Sequence, residues 1–135
     1  MTATPRHFQL SLLPERFAIA GLAPDAAIPH WATQGSFFSV TRSSEELSVV
    51  VEESRVPPGV QSQPGWRALK VHGPFVLSEV GVLASIAAPL AEARISLFVV
   101  STFDTDYLLV ASENLEAAVS ALERAGHTFH RSQSA

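Results

Sequence analysis

The sequence contains no cysteine. That absence excludes disulfide staples, thiolate nucleophiles, cysteine zinc sites and iron–sulfur clusters together, and it fits a reducing compartment. Charge is also scarce. Only 16% of the 135 residues are Asp, Glu, Lys or Arg, and nine bases against thirteen acids leave a net charge of −4. A mildly acidic chain is a poor ligand for polyanions, so no nucleic acid and no anionic membrane surface is expected as a partner. No apolar run approaches the ~18 residues needed to span a bilayer. The first seven residues carry neither a long apolar stretch nor a cleavage pattern, so a cytoplasmic protein is expected. G-x-G-x-x-G, G-x-x-x-x-G-K-S/T and G-x-S-x-G are all missing, which removes the phosphate cradles and the nucleophile elbow. No cofactor is expected. The five histidines show no ligand spacing. His127 and His130 stand three apart on a predicted strand, point to opposite faces and read as a solvated strand end, so no metal is expected.

What the chain has is apolar material, 47% of it, in a length that buries a real core. Apolar runs at 8–13 and 17–22, separated by Pro14, predict a hairpin or a bulged strand. Residues 23–35 read as a loop with one helical turn. Runs at 36–41 and 47–52 predict a second hairpin. Residues 54–65, with three prolines and two glycines, read as a linker that holds neither helix nor central strand. The second half is more regular. It predicts a strand over 66–72 and a helix over about 79–93, capped by Ser78 and carrying Pro89. A strand buried on both faces follows at 95–100, then a strand at 107–111, a helix from Asn114 to Gly126, and a last strand at 127–130. The order is β-α-β-β-α-β, the ferredoxin-like split of an antiparallel sheet with two helices on one face.

The halves repeat. Shifted by 60 residues, Ser36, Phe38, Val40, Val50 and Glu53 fall on Ser96, Phe98, Val100, Val110 and Glu113. The expected organisation is two α+β units in tandem. Residues 1–60 form an N-terminal unit whose second helix has given way to the proline-rich linker. Residues 61–135 form a complete C-terminal unit.

Two loops carry the chemistry. The first leads into the helix at Gly81, read as lying just inside it. A helical glycine costs ~1 kcal/mol against alanine. Either a ligand approaches the backbone closely there, with helical N–H groups and the positive dipole end aimed at a carboxylate, or helix and sheet pack closely. The second loop, Ser101–Asp106, holds two carboxylates and three hydroxyls. Asp104 or Asp106 could receive a ligand cation, or the residues are ordinary turn formers. Taking the preceding strands as parallel neighbours places both loops at one sheet edge. Trp31 and Trp66 read as packing residues.

The stretches FFSVT at 37–41, WRALKV at 66–71, VGVLASI at 80–86, PLA at 89–91 and above all ISLFVVSTFDTDYLLV at 95–110 resemble the ACT-domain family. The similarity is to its small bacterial members of two ACT-like units, the relatives of cytosolic arginine sensors and of aspartate kinase regulatory domains. It covers residues 8–130. The resemblance implies a non-catalytic regulatory module that binds a free amino acid at an ACT–ACT interface, completed in a homodimer. It implies that the backbone of Glu79, Val80, Gly81, Val82 and Leu83 holds the α-carboxylate and α-amino groups. It further implies that Thr102, Phe103 and Asp106 line the side-chain end, with Asp106 favouring a cationic side chain. Two alternatives remain beside it: a small ferredoxin-like dimeric isomerase with His72 and Asp106 as acid and base, and a dimerisation module without a ligand.

Overall fold

The computed structural model describes residues 7–72 and 81–130. Its strands are β1 (Gln9–Leu22), β2 (Ser39–Arg42), β3 (Leu47–Glu52), β4 (Ser62–Val71), β5 (Phe98–Ser101), β6 (Asp106–Ala111) and β7 (Thr128–His130). Its helices are α1 (Val82–Glu92) and α2 (Leu115–Arg124). From β4 onward the order is β-α-β-β-α-β, as the periodicity predicts.

The chain divides into two compact units that differ from its linear halves. One comprises Met1–Pro14 with Arg67–Ala135, the other Glu15–Trp66. The start of β1 therefore groups with the second half of the sequence and not with residues 15–60. The physical reason is pairing: Gln9, Leu10 and Ser11 run parallel to Thr128, Phe129 and His130, and the His72 N–H donates to the Gln9 carbonyl at 2.9 Å.

In the larger unit the strand order is β7-β1-β4-β6-β5, with α1 and α2 on one face. Alternate residues build the core, as a pleated strand requires. Leu10, Leu69, Val71, Leu108 and Val110 meet Val82, Ile86 and Leu90 of α1 and Ala118 and Leu122 of α2. Leu83, in the first turn of α1, is 40% exposed. The run at 95–100 is not buried on both faces: β5 is the outermost strand, and Phe98, Val99 and Val100 are half-buried.

Pro89 lies inside α1. It removes the N–H that would bond the carbonyl four residues back, that of Ser85. His127 supplies the replacement. The Phe8 N–H donates to its Nδ1 at 3.1 Å, so Nε2 carries the ring proton and donates to the Ser85 carbonyl at 2.9 Å. The side chain is 3% exposed. His127 is thus a satisfied core histidine rather than part of a solvated strand end. The ends of α1 and α2 follow helix-stop chemistry. Arg94 takes φ 61° after α1, and the Ile95 N–H bonds the Leu90 carbonyl. Gly126 takes φ 100° after α2, and the His127 N–H bonds the Leu122 carbonyl.

In the smaller unit the order is β2-β3-β1-β4. Ala20, Ala32, Val49 and Val51 form its core, flanked by Trp31, Val40, Val56 and Val60. The loop before β2 contains one 3-10 turn, His30–Thr33, as expected. Residues 62–65, read as linker, are the start of β4. Within this unit they lie at the sheet edge, where Pro64 removes no needed donor.

The two hairpins match in three dimensions, at an offset of 59 rather than 60. Ser39 pairs with Val50 and Arg42 with Leu47 in one hairpin; Phe98 pairs with Leu109 and Ser101 with Asp106 in the other. Val40, Val49 and Val51 pack on one core as Val99, Leu108 and Val110 pack on the other. An offset of 60 would send each of these side chains to the opposite face. At 59, residues 56–65 stand where 115–124 form α2, and the 3-10 turn at 30–33 stands at the last turn of α1.

Candidate functional site

Gly81 is not inside the helix. It is the residue before it, at φ 87°, a left-handed conformation that only glycine adopts without strain. The propensity cost expected of a helical glycine therefore does not arise. Among the described residues no side chain caps α1. The Ser85 N–H donates to the Gly81 carbonyl at 3.0 Å and the Ser85 hydroxyl donates to it at 2.8 Å. The N–H groups of Val82, Leu83 and Ala84 precede the first intrahelical bond and point out of the helix end, where its dipole is positive. Val82 is buried in the core, whereas Gly81 and Leu83 face solvent. Glu79 and Val80, and the capping role read for Ser78, lie outside the described residues.

The Thr102–Asp106 turn is built by its own side chains. The Thr102 N–H donates to the Thr105 carbonyl at 2.8 Å. The Thr102 hydroxyl donates to the same carbonyl at 3.0 Å and accepts the Thr105 N–H at 3.3 Å. Ser43 does the same at the equivalent turn: its N–H donates to the Glu46 carbonyl at 2.9 Å and its hydroxyl accepts the Glu46 N–H at 3.2 Å. One turn chemistry thus serves both hairpins, and the Thr102 hydroxyl belongs to the turn. Phe103 has no such employment. It is 79% exposed at the tip. Asp106 opens β6, half-buried, opposite Ser101.

The strands before these loops are not neighbours. β6 lies between β4 and β5, and β5 is at the edge. The split β-α-β-β order requires this, because a crossover leaves room for one antiparallel strand between its parallel pair.

His72 is engaged elsewhere than with Asp106. Its Nε2 lies 2.5 Å from the Ser11 hydroxyl. Partial burial, then the charges of Lys70 and His130, lower its pKa below the ordinary 6.5. Sequence reasoning missed this pair because the partners are 61 residues apart and no local pattern joins them. No group of three or more metal-ligating side chains occurs among the described residues, and no described helix is long and apolar enough to cross a membrane.

Comparison with known proteins places the chain. A family model described as an ACT domain matches residues 61–124, and a model of an N-terminal domain matches residues 15–59. The rat protein named cytosolic arginine sensor for mTORC1 subunit 1 is 33% identical over 98 residues, 65% of this chain and 30% of that protein. The human protein of that name is 38% identical over 60 residues, 44% of this chain and 18% of that one. This chain therefore spans less than a third of the arginine sensors it matches. A crystal structure of an Agrobacterium tumefaciens protein is 41% identical with a TM-score of 0.90, covering 95% of this chain and 96% of that one. The regulatory subunit of aspartate kinase from Thermus thermophilus, at 14% identity, shares the fold with a TM-score of 0.60 over 87% of this chain and 97% of its own. The chain belongs to one family with the Agrobacterium protein, and its residues 61–124 match the ACT-domain family.

Proposed function

We propose that this protein is a non-catalytic regulatory module that binds a free amino acid at an ACT–ACT interface, completed by a second copy of the chain. In this reading the backbone of Glu79, Val80, Gly81, Val82 and Leu83 receives the α-carboxylate and α-amino groups. Thr102 holds the turn, Phe103 covers the ligand, and the Asp106 carboxylate meets a cationic side chain. Arginine and lysine are the first ligands to try, since the curated relatives are named arginine sensors.

The observation that carries this reading is exposure. Among the described residues four large hydrophobic side chains are exposed, and two belong to the ACT-matched unit: Leu83 and Phe103. Both fall among the residues that the family resemblance assigns to the ligand. An exposed Leu83 beside helical N–H groups that no described side chain caps, together with an exposed Phe103, is what an interface with an anionic group at its centre would cover. Assembly of two copies would create two equivalent sites by symmetry. Ligand binding would then bias the assembly, by the ligand's differential affinity for its states and no more.

A thermal-shift screen against the twenty amino acids tests it. A ligand at 100 times its dissociation constant adds ~2.7 kcal/mol to stability. One amino acid should raise the melting temperature, and Asp106→Ala should abolish the shift. No shift with any amino acid refutes the reading.

A further inference from the structure

A cavity of about 510 Å³ lies within the larger unit, and neither Gly81 nor the Thr102–Asp106 turn lines it. Its volume falls in the range of small-molecule sites. Its walls are Leu12 and Pro14 of β1, Leu115 and Val119 of α2, and Phe129 of β7. Arg67 of β4 lines it, and Glu116, Ser120 and Glu123 stand on its helical side. Spacings of three and four place the α2 residues along one stripe.

Arg67 is the unusual member. It is half-buried on the core-facing side of β4, in phase with Leu69 and Val71. One guanidinium nitrogen, Nη2, donates to the Leu13 carbonyl at 3.2 Å. Nε is buried and without a hydrogen-bond partner. Arg16 and Arg55, by contrast, are ion-paired, with Glu53 and Glu52. Arg67 has no ion pair among the described residues. A half-buried guanidinium with an unpaired nitrogen on a cavity wall calls for an acceptor, and its planar fork suits a carboxylate. Across the groove stand the exposed carboxylates of Glu116 and Glu123, with His130 also on the lining and no ion pair to either glutamate among the described residues, and they suit a cation. Apolar side chains separate the two.

We infer that this groove binds a small zwitterion: a carboxylate on Arg67 and an ammonium on Glu116 or Glu123, joined by an apolar stem that packs on Leu115, Val119 and Phe129. A simple anion fits less well, because the two glutamates oppose it. The inference stands independently of the site at Gly81 and Asp106.

The test is NMR titration of the full chain with 6-aminohexanoate, and with hexanoate and hexylamine as its two halves. The amide signals of Leu115, Val119 and Phe129 should move with 6-aminohexanoate. Arg67→Gln should weaken that binding by about tenfold or more, the worth of a hydrogen bond to a charged group. Glu116→Gln combined with Glu123→Gln, both exposed changes, should weaken 6-aminohexanoate and strengthen hexanoate. If Arg67→Gln does not fold, Val119→Trp, which fills the groove, should abolish the shifts. Asp106→Ala should leave them intact, which separates this site from the one proposed above. Absence of groove shifts with 6-aminohexanoate at about 20 mM, far above any useful dissociation constant, overturns the inference. So does equal affinity in Arg67→Gln, or binding of hexylamine as strong as that of 6-aminohexanoate.

Discussion

The pairing of Pro89 with His127 can be tested by a double-mutant cycle. Pro89 leaves the Ser85 carbonyl without its helical donor, and the His127 Nε2–H takes that place at 2.9 Å. His127→Leu keeps apolar bulk but removes both ring nitrogens. The Ser85 carbonyl and the Phe8 N–H each lose a partner in a site that is 3% exposed. A buried group left unpaired costs about 1–3 kcal/mol, so the substitution should destabilise by about 2–6 kcal/mol. Pro89→Ala restores an N–H four residues after Ser85. In that background the carbonyl has a donor of its own, and His127→Leu should cost about 1–2 kcal/mol less. Urea denaturation of the four proteins measures the cycle directly. Additive substitutions, within about 0.5 kcal/mol, would refute the claim that the imidazole replaces the missing helical bond.

Two further predictions follow from single residues. His72 has a lowered pKa in the folded state, so it resists protonation there more than in the unfolded chain. Its contribution to stability is complete above the unfolded value of 6.5 and declines as pH falls from there through the folded pKa. His72→Gln should flatten the stability–pH curve in that window, and an unchanged slope would count against it. Arg94 holds φ 61° after α1, where a side chain is strained. Arg94→Gly should therefore stabilise by up to about 1 kcal/mol in thermal denaturation.

The strand–helix order of the larger unit was legible because its strands and helices carry clean periods of two and 3.6 and its stop signals are local. Gly126 is an example: it ends α2 by a conformation that sequence alone foretells. What was illegible depended on distant partners. The strand character of residues 62–65 arises because β1 supplies a neighbour, and Pro64 is tolerated because the segment is an edge. The burial of His127 depends on a carbonyl that Pro89 frees 42 residues away. The repeat was visible, but chance identities favoured an offset of 60. Only the pairing register and the two matched turns, Ser43–Glu46 and Thr102–Thr105, fix it at 59. At the candidate site the residue types were readable. The neighbourhood of the two loops was misjudged, because β6 intervenes between β4 and β5.

In the proposed function a free amino acid is held at the start of α1 and beside Asp106. Hydrogen–deuterium exchange with and without a mixture of the twenty amino acids tests it most directly. Binding is expected to slow exchange at the amides of Val82, Leu83 and Ala84 and across Thr102–Asp106, with Asp106→Ala abolishing the effect. Unchanged exchange in both segments, at amino-acid concentrations that saturate any physiological sensor, would contradict it.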